Sequence, residues 1–305
     1  MAFSEIRSAY LAAEDFSSQL LGEVPGVIAS HGQLVLSSEP ATNVLWAQNI
    51  WNNPVVFSIE SINDGAKKLK LIQRNWWLYS FQHHRRAKLI QEKLPHVSAK
   101  PLVFPCSLPP SPLGSWTLLD ENTILASPNC SSLFPNGEVK FIEDRQGPPS
   151  RAYLKLYEAF TLMQKHPQPG EFCVDAGGSP GGWAWVVQQL GAQVLTIDRA
   201  TPEPKILSLP NVKFRKGDAF ALKPTDFDQV DWLLSDVVCF PNKLLEWASM
   251  WVESGKCENL VCTIKFKGET DYGIVKKFLG IGGSRVAHLH HNRHELTWMH
   301  RPNWP

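Results

Sequence analysis

The residues best placed to do chemistry stand where apolar runs stop. Segment 172–183 reads FCVDAGGSPGGW, so an apolar strand ends in Asp175 and a glycine-rich loop leads into a helix. Glycines without a Cβ let the backbone approach a ligand closely. In an open α/β sheet such a loop lies at the carboxyl edge of the strands, where ligands bind. A dinucleotide pyrophosphate calls for G-x-G-x-x-G with helix amides facing it. Here the order is D-x-G-G-x-P-G-G, and Pro180 removes one amide donor. An acid at the start of the loop repels a pyrophosphate but suits the amino group of a methionyl moiety. The residues therefore favour S-adenosylmethionine over NAD as the ligand of Asp175, Gly177, Ser179, Pro180, Gly181, Gly182 and Trp183. A purely structural glycine turn is the competing reading. Asp198 closes the next apolar run, VLTID, where an acid can hold two ribose hydroxyls. Asp218, in FRKGDAF, follows the third run and can accept from an adenine amino group. Either acid alone would read as a loop cap. Their succession at strand ends points to a cofactor edge.

Two more strand ends carry reactive groups. WLLSD stops at Asp236 and LVCTIK stops at Lys265. A lysine drawn out of water at the end of an apolar strand can act as a base. Asp236, on the same edge, is a candidate for both cofactor contact and catalysis.

From Pro149 to Arg301 the sequence resembles the FtsJ/RrmJ-type RNA ribose 2′-O-methyltransferases, whose signature is a Lys-Asp-Lys-Glu tetrad. Segment 150–156 (SRAYLKL) is similar to the first-lysine segment, and segment 291–297 (HNRHELT) to the hairpin that carries the Glu. The resemblance thus implies Lys155, Asp236, Lys265 and Glu295 as the tetrad. Within the family it is strongest to the RlmM type, through LKLYEAF, GSPGGW and VDWLLSDV. It covers about half of the chain. Gly178 stands where relatives often carry Ala or Cys. The resemblance implies transfer of a methyl group from S-adenosylmethionine to a ribose 2′-hydroxyl. The implied substrate is RNA, a cytidine of 23S rRNA, either free or in a precursor ribosomal particle. Lys265 is then the candidate base, oriented by Asp236, while Glu295 holds Lys155 or the ribose.

Strands and helices must bring these residues together. From Gly147 onward strand and helix patterns alternate, with strands at 171–176, 194–198, 212–215, 232–236 and 260–265. Helices are expected at 182–190, 242–254 and 272–279, and strand material at 286–300 broken near His291. This order fits a Rossmann-like, doubly wound α/β sheet ending in an antiparallel hairpin. The division expected is a methyltransferase domain at 146–305 after a smaller α+β domain at 1–145. That first domain would recruit RNA, as a THUMP domain does in RlmM-type relatives. In it, Ser4 to Leu21 has near-helical spacing, Val27 to Leu36 suits a hairpin, and 54–60 and 76–81 read as strands. Helices are expected at 64–74 and 84–94, and short strands near Trp116, Ile124 and Val139. Six prolines between Pro95 and Pro112 predict an extended connection.

Composition bounds the alternatives. Of 305 residues, 43% are hydrophobic and 19% charged, which suits a folded core and excludes wholesale disorder. Formal charge is only +1, so any nucleic-acid surface must be local. The clearest basic cluster is His83, His84, Arg85, Arg86 and Lys88, either a solvated helix face or a phosphate contact. Lys267, Lys276, Lys277 and Arg293 are further phosphate candidates near the catalytic edge. The 12 Trp read as core, and the 6 Cys, with no CxxC pair, as core thiols. His288, His290, His291, His294 and His300 crowd the tail, but adjacent strand residues face opposite ways, so no metal is expected. No run approaches a spanning helix and the first residues lack a leader-like apolar core, so a cytoplasmic protein is expected. Two rival functions remain at this stage: a methyltransferase acting on a non-RNA substrate, and a catalytically silent RNA-binding or ribosome-assembly factor.

Overall fold

The structure, a computed structural model, describes residues 5–304. The described residues form two units, one from residues 5–102 and 108–140, the other from residues 103–107 and 141–304.

In the first unit the order is β1 (Ser8–Ala12), α1 (Ser17–Glu23), β2 (Val27–His31), β3 (Leu34–Ser37), β4 (Ala47–Asn52) and β5 (Val55–Ser58). Then come α2 (Ile62–Ile72), β6 (Trp76–Leu78), α3 (His84–Gln91), β7 (Gly114–Asp120), β8 (Thr123–Ser127) and β9 (Asn129–Cys130). One sheet runs β2-β3-β1-β4-β9 and the other β5-β8-β7-β6. Apolar residues of α2 and α3 close over the second sheet around Leu69, Trp76, Ile90 and Trp116. The hairpin of β2 and β3 turns at Gly32, whose φ of +62° suits glycine.

Two expectations for this unit fail. Ser4 lies outside the described residues, but residues 8–12 form a strand, and of the expected helix only 17–21 is helical, within α1. All five residues of β1 are buried, because the strand is paired between β3 and β4 and covered on both faces. A strand buried on both faces shows no alternation, so chance 3.6-residue spacing prevails in the sequence. Val139 lies in no strand; the short strand of that stretch is β9.

The second unit begins with α4 (Tyr153–Met163) and β10 (Phe172–Ala176), followed by α5 (Gly182–Gln189), β11 (Gln193–Asp198), α6 (Pro204–Leu207) and β12 (Val212–Lys216). It continues through β13 (Val230–Ser235), α7 (Pro241–Ser254), β14 (Cys257–Lys265), α8 (Tyr272–Leu279), β15 (Ser284–Ala287) and β16 (Glu295–His300). The seven strands lie in the order β12-β11-β10-β13-β14-β16-β15. The ladders from β12 to β14 are parallel, and β16 is antiparallel to both neighbours. From β10 the chain steps outward to β11 and β12, then returns to β13 on the other side. Right-handed crossovers running in opposite directions place the helices on opposite faces. The reversal opens a crevice at the carboxyl ends of β10 and β13.

The sequence explains the helix limits that matter to the crevice. Gly181 opens α5 with φ +110°, a conformation closed to residues with a Cβ. Pro241 at the first position starts α7, and Gly255 in the left-handed region ends it. The Asp271 carboxylate accepts from the Ile274 amide and caps α8. Ten of the twelve tryptophans are buried, so their main work is packing. No helix among the described residues is long and apolar enough to cross a membrane.

Candidate active site

Four charged side chains meet at the carboxyl edge of the second sheet. Lys155 projects from the first turn of α4, and Asp236 follows β13 directly. Lys265 ends β14 and Glu295 begins β16, and the antiparallel register sets these two opposite each other. Lys155 Nζ lies 2.6 Å from Asp236 Oδ2 and 2.9 Å from Glu295 Oε1. Lys265 Nζ lies 3.0 Å from Asp236 Oδ1 and 3.8 Å from Glu295 Oε2. Each carboxylate therefore touches both ammonium groups, in a neutral ring of alternating sign. Lys265 Nζ also donates to the Asp236 carbonyl at 2.7 Å, and the Thr263 hydroxyl donates to Asp236 Oδ1 at 2.7 Å.

The ring is neither fully dry nor fully wet. The Lys155 side chain is 8% exposed and that of Lys265 22%, so Lys265 is the ammonium that a solvent-borne group reaches more readily. Burial disfavours the Asp236 charge, but Lys155 and Lys265 outweigh it and hold the carboxyl below its ordinary 3.8.

Beside the ring lies a cavity of about 300 Å³, lined by Gly177, Asp198, Asp218, Phe220, Val238 and Lys267 among others. Its floor is set by close approach. A Cβ on Gly177 would sit 2.6 Å from Val237 Cβ, so the glycine loop packs against the residue that follows Asp236. A Cβ on Gly178 would lie 2.2 Å from Thr196 Oγ1 and 2.3 Å from Asp175 Oδ2. A side chain at position 178 would therefore force the Thr196 hydroxyl or the Asp175 carboxylate to move.

Asp175 is 1% exposed, and neither carboxylate oxygen has a hydrogen-bond partner of ordinary geometry. Burial, then the nearby charges of Asp236 and Asp198, push its pKa up to about 8, against a pull from the Ala184 amide. An orphaned acid at this depth suits a cationic ligand group. Asp198 Oδ2 accepts the Ser179 amide at 3.0 Å, and Oδ1 accepts the Ala200 amide at 2.9 Å, so Asp198 ties the glycine loop to the next strand. Asp218 accepts the Phe220 amide at 3.0 Å and meets Arg199 at 2.6 Å, and these two contacts lower its pKa.

Gly177, Asp198 and Asp218 line the cavity, whereas Asp175, Ser179, Pro180, Gly181, Gly182, Trp183 and Asp236 are not part of its lining. The Trp183 ring is buried, and its indole N–H donates to the Ala152 carbonyl at 3.0 Å. It ties α5 to the start of α4, one residue before Tyr153 and three before Lys155, and so helps aim that lysine.

One residue of the site escaped the sequence reading. Glu158 on α4 is 2% exposed, and its two oxygens accept the amides of His290 at 2.8 Å and His291 at 3.1 Å. Burial pushes its pKa up to about 8, against the pull of those two amides. The signal was an acid on the buried side of an otherwise apolar helix, three residues after Lys155.

Among the described residues no group of three or more His, Cys, Asp or Glu is arranged to hold a metal ion. Burial lowers the pKa of His288 to about 4, and its ring lies 3.0 Å from the Arg293 carbonyl, which makes it a neutral donor in the tail turn. In the first unit His83, His84, Arg85 and Lys88 are exposed on or beside α3, and Arg86 donates to Asn122.

Comparison with known proteins adds the following. Residues 148–262 match the family model of the FtsJ-like methyltransferases. A relative from Halorhodospira halophila named ribosomal RNA large subunit methyltransferase M is 32% identical over 172 residues, covering 54% of this chain and 50% of its own. Proteins of the same name from a Marinomonas species and from Thauera aminoaromatica are 30% and 28% identical. These cover 55% and 56% of this chain, and 52% and 50% of their own. The chain spans about half the length of the curated relatives it matches.

Proposed function

From an FtsJ-like methyltransferase domain at residues 148–262, we propose that this chain methylates a ribose 2′-hydroxyl of large-subunit ribosomal RNA, with S-adenosylmethionine as methyl donor. The finer reading is a cytidine of 23S rRNA. The observation that carries the proposal is the ring of Lys155, Asp236, Lys265 and Glu295 beside a glycine loop with an orphaned acid.

The residues present fit the cofactor. Asp175 would take its ammonium, Asp198 its ribose hydroxyls and Asp218 its adenine amino group. When bound, the sulfonium supplies an electrophilic methyl group. A ribose hydroxyl attacks such a carbon only as its proton leaves, so the protein must orient the hydroxyl and receive the proton. Lys265, the more accessible amine of the ring, is the group that receives that proton. Asp236 fixes it through both its carboxylate and its carbonyl. Lys155 holds Asp236 and Glu295 apart from each other and leaves Glu295 Oε2 turned toward Lys265. Lys265 would hold the hydroxyl proton while the donor gives up its methyl group and keeps the sulfur–carbon electron pair. In-line placement of the hydroxyl supplies much of the acceleration.

The first unit would recruit RNA through the exposed basic face of α3, which positions phosphates without reading sequence. The test is transfer of tritiated methyl groups to large-subunit rRNA from cells lacking the modification. The expected result is label in RNA, lost about 10²-fold or more in Lys265→Ala while S-adenosylmethionine still binds. Label in protein, or full transfer by Lys265→Ala, overturns the proposal.

A further inference from the structure

Glu158 is buried and outside the ring, and nothing in the methyl-transfer reading uses it. A carboxyl group kept at 2% exposure must be offset by strong local partners. Its partners are two consecutive backbone amides, His290 and His291, more than 130 residues away in sequence. Those amides lie in the turn that leads from β15 into β16. Asn292 continues the link, donating to the Glu295 carbonyl and to Thr297 Oγ1, each at 3.1 Å. Glu295 Oε1 then meets Lys155. Lys155 and Glu158 are three residues apart on α4, so they project from one face of one helix. The contacts close a circuit: α4 to the tail turn through Glu158, the turn to Glu295 through Asn292, and Glu295 back to α4 through Lys155.

We propose that Glu158 is a positioning residue for methyl transfer, a two-oxygen clamp on the 290–291 amides that sets Glu295 against Lys155 and Lys265. The proposal rests on the methyl-transfer reading of the ring. Its chemistry is specific. Both oxygens must accept, so a carboxylate serves and a carboxamide does not. Gln has the same shape but turns an NH₂ toward one of the amide donors. A space-filling role would survive Glu158→Gln, whereas a double-acceptor role would not.

The experiment compares the full-length wild type with Glu158→Gln, and with Glu158→Asp, which keeps the carboxyl group but falls one methylene short. Thermal melts, S-adenosylmethionine affinity by calorimetry, RNA affinity and single-turnover methyl transfer are measured for each. Hydrogen exchange of the His290 and His291 amides is followed in parallel. For Glu158→Gln the expected result is cofactor and RNA affinity within about 2-fold of wild type, faster exchange at both amides, and transfer slowed roughly 10- to 100-fold, the scale of an ångström of misplacement. Wild-type transfer by the Gln variant overturns the proposal, as does unchanged amide exchange. A loss of transfer matched by an equal loss of cofactor affinity also overturns it. If Glu158→Gln does not fold, Glu158→Asp is judged by the same criteria. Should the wild type itself transfer no methyl to RNA, the methyl-transfer reading fails, and the amide exchange still decides whether Glu158 clamps the turn.

Discussion

Replacing Lys155 with Met keeps a long apolar stem and removes only the ammonium. In the wild type that ammonium lies 2.6 Å from Asp236 and 2.9 Å from Glu295, with side chains 8–19% exposed. Its loss leaves two carboxylates facing Lys265 alone, and one negative charge in excess. Removing one partner of a buried ion pair costs about 3–5 kcal/mol, because the other charge is stranded. Lys265 remains 3.0 Å from Asp236 and 3.8 Å from Glu295 and compensates part of that charge, which favours the low end. A loss of about 3 kcal/mol in a unit of this size lowers Tm by roughly 6–12 °C at neutral pH. The pH dependence identifies the cause. The two ammonium groups hold the Asp236 carboxyl below its unfolded value of 3.8. That contribution is present above 3.8 and is lost as pH falls through the lower folded value. In Lys155→Met the carboxyl rises, so the contribution is missing at every pH. The Tm difference between wild type and variant is therefore large from pH 7.5 down to about 4 and narrows only as pH falls below 3.8. Thermal melts by circular dichroism across that range test it. A difference independent of pH would refute the electrostatic account and leave Lys155 a packing residue.

Further outcomes follow from neighbouring geometry. Gly178→Ala presses a methyl against Thr196 Oγ1 and the Asp175 carboxylate and is expected to cost about 1–3 kcal/mol, partly restored by adding Thr196→Ala. An unchanged melt for the single variant would show that the loop yields. Asp175, with a pKa of about 8 in the free protein, should release about one proton at pH 7 when an ammonium binds beside it. Cofactor affinity should therefore rise between pH 6 and 8. Calorimetry in two buffers of different ionisation heat measures the proton, and no buffer dependence contradicts the assignment. Arg85→Ala and Lys88→Ala should each reduce the slope of log affinity against log salt for RNA by about 0.7–0.9. An unaltered slope places the phosphate contacts elsewhere.

The candidate catalytic edge was legible because it breaks a simple pattern. Asp175, Asp198, Asp236 and Lys265 each end an apolar run, and a charge at that point is conspicuous in a sequence. The seven-stranded sheet followed from the same alternation. Lys155 and Glu295 carry no such mark. They lie 140 residues apart, and only the placement of β16 beside β14 brings them together, so their pairing came from family resemblance. Glu158 was invisible because an acid on a helix ordinarily faces water, and its partners are backbone amides, which have no sequence signature. Strand β1 was misread because burial on both faces erases alternation. Strand β4, AQNIWN, escaped notice because polar residues interrupt its apolar ones without a regular period. Trp183 reads as part of the cofactor loop in sequence, yet its indole reaches back to Ala152 and serves the aim of α4.

The most direct test of the central claim is alkaline hydrolysis of RNA labelled by this protein with tritiated S-adenosylmethionine. A methyl group on the ribose 2′-oxygen blocks cleavage at the adjacent phosphodiester. The account predicts label in an alkali-resistant dinucleotide, absent with Lys265→Ala. Label recovered in mononucleotides would mean methylation of a base, and would contradict a ring built to activate a ribose hydroxyl.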